Sequence, residues 1–283
     1  TDAPDGFATS HKYDCTTADA SPAAGDFLIF EQRVEAQDLQ QLSYGTSSPN
    51  RITLSFYVKS NKTGTYIAEL ALPDASNNSN NQQSYTINSA NTWERKTLSY
   101  VGNTTDAINN DNGIGMNVFF WLGAGSNFSG GTLTQNTWAN TSASNRAVGQ
   151  VNLADSTSNE WLITGVQMEL GEQATPFEHR SYGDELLRCQ RYFIRTEPFS
   201  YHLAGRWHHD GGTPLTQYNI PVVMRAAPSV SISTAFNSGS GYTGTPTFSD
   251  FTTMNFFMAS ATSRSANDVQ YLHNGVLDIS AEL

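Results

Sequence analysis

Apolar and polar positions alternate with a period of two along most of this chain, the pattern of strands that bury one face. In residues 52–59, Ile52, Leu54, Phe56 and Val58 fall on one side, and Thr53, Ser55, Tyr57 and Lys59 on the other. Residues 27–37 alternate in the same way, with Leu28, Phe30, Gln32 and Val34 sharing a side. Asn61, Lys62, Thr63 and Gly64 are turn formers, so 52–59 and 65–72 read as a hairpin. The polar run 77–83 reads as a loop, followed by strands at 85–87 and 93–100. Residues 115–122 are apolar almost throughout, as in a central strand. In residues 161–170 the more apolar set is Leu162, Thr164, Val166, Met168 and Leu170, which the pattern sends to the core, leaving Trp161, Ile163, Gly165, Gln167 and Glu169 on the other face.

One segment reads convincingly as a helix. After Gly171 and Pro176 end the strand, Ser181 can cap a helix whose first turn holds Asp184 and Glu185 and whose end holds Arg188 and Arg191. Leu186, Leu187, Cys189 and Phe193 form its apolar side. Residues 123–158 are a long Gly-, Ser-, Asn- and Thr-rich region with Phe128, Leu133 and Trp138 embedded in it, and unstructured stretches of that length are functional or packed down by their own side chains. Beyond the helix, strands are expected at 192–195, 218–223, 229–233, 255–259 and 275–279, with a Pro-bearing break at 224–228 and a glycine-rich tip at 239–244. The fold predicted is all-β: a jelly-roll β-sandwich over 1–175, a linker and short helix over 176–195, and a small β domain over 196–283.

Composition agrees with many short strands: 14% of residues are charged and 11% aromatic. A net charge of −11 with only 15 basic residues, nowhere clustered, argues against nucleic acid as a ligand. The apolar runs are too short for a membrane-spanning helix. The chain opens on TDAPDGF, so no secretory leader is visible, and the missing initiator Met points to a fragment with an upstream region, a processed chain or a renumbered one. Cys15 and Cys189 are expected to be reduced, buried thiols rather than a bridge.

The stretch WLITGVQMELGEQATPFEHRSYGDELLRCQRYF, from Trp161 to Phe193, resembles the region that closes a jelly-roll domain in bacteriophage virion proteins, above all tail-fibre and related appendage proteins of marine phages. ITLSFYVKSNKTGTY from Ile52, FFWLGAGSNFSGGTL from Phe119 and NRAVGQVNLADSTSNEW from Asn145 are similar to the same group, as is the Ala281-Glu282-Leu283 ending. The resemblance covers residues 5–195 well and the rest loosely, and its motifs are structural. It implies a non-catalytic virion protein, a tail fibre or receptor-binding protein that contacts host-surface glycan. A capsid decoration or head-fibre protein and a tailspike-like depolymerase are the alternatives. Fibres of this kind are threefold, and the helix is too short to stand alone, so the partners expected are two further copies of the chain and other virion proteins. Folding in the host cytoplasm would keep both thiols reduced.

Trp121, Phe128 and Trp138, accompanied by Asn127, Asn136 and Asn140, are candidates for sugar contact, with rings against pyranose C–H faces and amides on hydroxyls. The same rings could instead anchor the long loop to the sheet. Trp207 and Tyr242 are the candidates at the C-terminal tips, the part that matches the virion proteins least well. His208, His209 and Asp210 read as a surface turn, because adjacent histidines on a strand point to opposite faces. No cofactor is expected. A structural calcium is conceivable at residues 106–113 or near Asp2, Asp5 and Asp155, although the spacing is not that of an EF-hand. The chain lacks a G-x-S-x-G, P-loop or H-E-x-x-H pattern, and catalysis is not expected.

Overall fold

A computed structural model of the protein describes residues 2–74, 78–197, 203–206, 215–235, 237–238, 247–249, 251–259, 269–273 and 275–282. It divides into two compact units, Thr1–Glu178 and His179–Leu283.

The first unit contains strands β1 (His11–Asp14), β2 (Phe27–Glu35), β3 (Ile52–Ser60), β4 (Gly64–Leu72) and β5 (Ser79–Ile87). These are followed by β6 (Glu94–Tyr100), β7 (Ile114–Ala124), a one-turn helix α1 (Ser126–Ser129), β8 (Ala139–Asn140) and β9 (Glu160–Leu170). One sheet runs β1-β9-β3-β6 and the other β2-β7-β4-β5-β8. The first strand, β1, pairs with the last, β9, in one sheet, and β2 pairs with β7 in the other, which is the jelly-roll order. Between the sheets lies a core that includes Leu54, Phe56, Val58, Tyr66, Leu70, Tyr100, Phe120, Leu122 and Trp161, all with at most 1% of their surface exposed. Phe56 meets Phe120 edge to face at a centroid distance of 5.0 Å, tying β3 to β7 across the sandwich. Each such ring contributes roughly 1.5–3 kcal/mol by leaving water. The predicted inward faces of residues 52–59 and 27–37 are realised by Ile52, Leu54, Phe56 and Val58 and by Leu28, Phe30 and Val34.

Three local expectations fail, each for a structural reason. β3 and β4 are not a hairpin: β3 pairs with β6 and β9, and β4 with β5 and β7, so the turn at residues 61–63 carries the chain from one sheet to the other. Gly64 permits this crossing with φ of +127°, where a Cβ would lie 2.6 Å from the Val151 side chain. The supposed loop 77–83 is largely strand β5, with Ser79, Asn80, Asn81 and Gln82 buried. Two of these side chains find partners elsewhere in the chain, Asn80 Nδ2 on Glu69 Oε1 at 2.9 Å and Ser79 Oγ beneath Asn103 Nδ2 at 3.0 Å.

The third failure concerns β9. Ser55 lies opposite Gln167 and Tyr57 opposite Thr164, so Phe56 alone faces both Gly165 and Val166. This β-bulge reverses the alternation. Before it, Trp161 and Ile163 point into the core; after it, Met168 does, opposite Leu54. Val166 is 43% exposed and is not a core residue. Gly165 takes φ of +58°, and a Cβ there would sit 2.6 Å from the Phe7 ring, which packs on Tyr57 and Phe177.

In the second unit, α2 (Tyr182–Gln190) begins as predicted: the Ser181 side chain accepts from Asp184 N at 3.2 Å. None of its residues is buried, and Leu186 and Leu187 are 40% and 55% exposed. Cys15 and Cys189 are both free; Cys189 is exposed, contrary to the buried thiol expected, because the helix side that carries it is uncovered. The strands are β10 (Phe193–Arg195), β11 (Leu203–Arg206), β12 (Leu215–Asn219), β13 (Ser229–Thr234) and β14 (Asn237–Ser238), then β15 (Thr247–Ser249), β16 (Asn255–Ala259), β17 (Val269–His273) and β18 (Val276–Ser280). They form three-stranded sheets β10-β18-β13, β11-β17-β14 and β12-β16-β15. Ile194, Ile220, Met224, Leu277 and Ile279 make a small separate core. The protein is thus a jelly-roll sandwich followed by a short helix and a small β domain.

The bulge makes a direct prediction. Gly165→Ala should lower stability by about 2 kcal/mol, through left-handed backbone strain and the Phe7 clash, whereas Val166→Asp should cost under about 1 kcal/mol. Urea unfolding of the two variants decides: a Val166→Asp loss larger than that of Gly165→Ala would put the bulge in the wrong place.

Candidate functional site

The outer face of the five-stranded sheet holds the first group of candidate residues. Along β4, Tyr66, Ala68, Leu70 and Leu72 point into the sandwich, which leaves Ile67, Glu69 and Ala71 on the outer side. Glu69 stands opposite Phe119 on β7 and opposite Gln82 on β5. Residues two positions along a neighbouring strand lie within diagonal reach, and this places Trp121 on one flank of Glu69 and Asn80 on the other.

Such a face would ordinarily meet solvent, yet Glu69 has no exposed surface and Trp121 is 1% exposed. The cover comes from the segment that follows β7. Ala147 is buried against Ile67, Phe119 and Trp121, with Phe128 and Leu133 packed beside them. Backbone bonds fix the cover to itself and to the sheet: Ala147 N donates to Phe128 O at 2.8 Å, and Val151 N to Thr65 O at 3.0 Å. Side chains complete the strand edges, with Gln150 Oε1 accepting from Ile67 N at 2.8 Å and Gln135 Oε1 from Ser84 N at 3.1 Å.

Beneath this cover the Glu69 carboxylate is fully engaged. Trp121 Nε1 donates to Oε2 at 2.7 Å, Asn80 Nδ2 to Oε1 at 2.9 Å, and Arg146 Nε to both oxygens at 2.9 and 3.1 Å. The Arg146 guanidinium also lies over the Phe119 and Trp121 rings, 5.1 and 5.0 Å from their centroids. A buried carboxylate is tolerable only when paired and hydrogen-bonded in this way, and the rings add cation–π attraction.

The ring candidates are therefore anchors and not a contact plate. Trp121 is enclosed, and Phe128 packs on Phe27 and Trp121 at 5.2 and 5.5 Å. Trp138 donates from Nε1 to Val101 O at 2.6 Å and meets Tyr44 edge to face at 5.6 Å. Burial beside it holds the Tyr44 phenol above its usual range. Asn136 does not wait for a hydroxyl either, since its Oδ1 accepts from Val101 N at 2.8 Å. Asn127 and Asn140 are exposed. Trp207, Tyr242, His208, His209 and Asp210 lie outside the described residues.

The acidic positions have structural partners of their own. Asp106 is buried and accepts from Asn103 Nδ2 at 3.0 Å, while Asp111 Oδ1 accepts from Gly113 N at 2.8 Å. Asp2 pairs with Lys59 and accepts from Trp93 Nε1, and Asp155 pairs with Lys62. The hydrogen bonds from those lysines hold both carboxyls below the usual aspartate range. Among the described residues no three His, Cys, Asp or Glu side chains converge on a metal position.

One place with ligand-like chemistry carries no sequence motif. A recess of about 90 Å³ opens at the β2–β7 edge, lined in part by Asp19, Asp26, Phe27, Gly123 and Asn152. Phe27 is 55% exposed there. Its signal in the sequence is slight: an aromatic directly after a Gly-Asp turn, at the first position of a strand.

The buried ion pair generates the next prediction. Arg146→Met leaves an uncompensated carboxylate under the cover and should cost about 3–5 kcal/mol, with new protease cleavage between residues 125 and 152. Adding Glu69→Gln to Arg146→Met should recover most of that loss, a coupling that urea unfolding of both singles and the double measures. An Arg146→Met variant with an unchanged midpoint would show that the pair does not hold the cover.

Neither known protein families nor curated proteins provide a match to this chain.

Proposed function

We propose that this protein is a non-catalytic structural component of a phage virion, a tail fibre or receptor-binding protein that assembles as a homotrimer and contacts host-surface glycan. The observation that carries the reading is the uncovered side of α2. The stretch most similar to virion appendage proteins spans β9 and this helix. On the helix Leu186, Leu187 and Tyr182 are 40%, 55% and 82% exposed, and Phe193, which the structure places in β10 and not on the helix, is 36% exposed. A nine-residue helix is marginal in water without packing, so burial against symmetry mates supplies what one chain lacks. The sandwich supports the same reading. Its buried carboxylates Glu35, Glu69 and Asp106 are held by Gln37, by Arg146 with Trp121 and Asn80, and by Asn103. They serve the scaffold, which leaves recognition to edges and loop tips, where rigid β folds commonly carry it. Weak sites suffice for such a protein, since several copies on one particle multiply avidity.

Two measurements test this. Light scattering at micromolar concentration should give three times the mass of the chain, and Leu186→Glu with Leu187→Glu should give a monomer whose sandwich melts as before. A monomeric wild-type chain would remove the trimer. A density map of the intact virion should place the chain on the tail; placement on the capsid lattice would favour the decoration role instead.

A further inference from the structure

We infer that the recess at the β2–β7 edge is a subsite for one neutral pyranose of a host-surface glycan, with the Phe27 ring as its plate. This rests on the glycan-binding reading above and moves the contact away from the enclosed Trp121 and the loop anchors Phe128 and Trp138. Phe27 is the first residue of β2, opposite Ala124, and its ring is held edge-on by Phe128 at 5.2 Å and Trp121 at 6.4 Å. Gripped from behind yet 55% exposed, the ring presents a fixed apolar surface at no further ordering cost.

The polar groups around it are fixed as well. Asp19 N donates to Ala154 O at 2.7 Å, and Asn152 Nδ2 to Asp19 O at 2.7 Å, pinning one wall to the turn before β9. Gly125 N donates to Asp26 O at 2.8 Å, pinning the other wall to the end of β7. Each carboxylate spends one oxygen on its own turn, Asp19 Oδ1 accepting from Ser21 N and Asp26 Oδ2 from Ala23 N. The second oxygen of each is left to accept, which is what the hydroxyls of a sugar require. Gly123 keeps the floor open: a Cβ there would lie 3.2 Å from Asn152 Oδ1.

Size and charge narrow the ligand. A recess of about 90 Å³ takes the edge of one ring and not an enclosed oligosaccharide. Its lining has two carboxylates and no cation, on a chain of net charge −11, so uronic, sialic or phosphorylated sugars are repelled and neutral hexoses are not.

The test is an amide NMR titration of the purified chain with methyl glucoside, methyl galactoside and methyl mannoside, and with glucuronate. At least one neutral glycoside should shift the Phe27, Gly123 and Asn152 amides saturably in the millimolar range, with glucuronate at least roughly tenfold weaker. Phe27→Leu keeps the apolar contact with Phe128 and Trp121 and should weaken that binding at least roughly tenfold in a chain with an otherwise unchanged spectrum. Saturable shifts that map elsewhere, or that survive Phe27→Leu, would overturn the recess and leave glycan binding standing. Glucuronate binding as tightly as the neutral sugars would overturn the assigned ligand class. If the chain also retains no host polysaccharide in co-sedimentation, glycan binding itself fails along with the recess.

Discussion

A carboxylate sealed beneath a loop is the constraint on which the sandwich depends. Strand β7 is apolar on both sides, with Met116, Val118, Phe120 and Leu122 turned inward and Phe119 and Trp121 outward. A sheet with such an inner strand cannot leave its outer face in water, and residues 125–152 supply the cover. Glu69 sits in the middle of that face, and burying it is costly unless Arg146 arrives with the cover. Pairing, ring stacking and loop closure therefore occur together. The ion pair ties the cover to the sheet at Glu69.

This arrangement separates scaffold from recognition. The rings that look most suited to a sugar are consumed in holding the cover, so what a partner can reach lies at the periphery. Two peripheral features stand out in chemistry: the exposed Phe27 ring with its neighbouring carboxylates, and the apolar side of α2. The first is the proposed glycan subsite, and the second the proposed site of self-association. An assembly that uses α2 for self-association and strand edges for its ligand keeps the two tasks apart.

Much of this fold was legible because local pattern and tertiary role agree. Residues 52–59 alternate cleanly, and the inward set was read correctly; the Ser181 cap and the helix after it follow from local chemistry alone. In residues 161–170 a single bulge at Gly165 and Val166 reverses the face halfway along, and period-two reasoning cannot see an inserted residue. The turn at 61–63 has the composition of a hairpin, but whether a strand pairs with its neighbour or crosses to the other sheet is settled by distant strands. Residues 79–82 have the composition of a loop, and the groups that accept Ser79 and Asn80 into the sheet, Asn103 and Glu69, are remote in sequence. The enclosure of Trp121 has the same cause. Its ring alone suggests sugar contact, and the groups that enclose it, Glu69 and Arg146, come from opposite sides of it in the sequence. Alternation turns Phe27 away from the core, but it does not tell that the ring stays exposed while Trp121 on the same face is covered.

The most direct test of the account is the hydrogen-exchange rate of the Trp121 indole N–H, followed by NMR at neutral pH. A donor sealed under residues 125–152 and bonded to Glu69 exchanges as slowly as the backbone amides of β4 and β7 beside it. Exchange as fast as that of an exposed indole would mean that the outer face is open to solvent, and would contradict the cover on which the structural and functional argument rests.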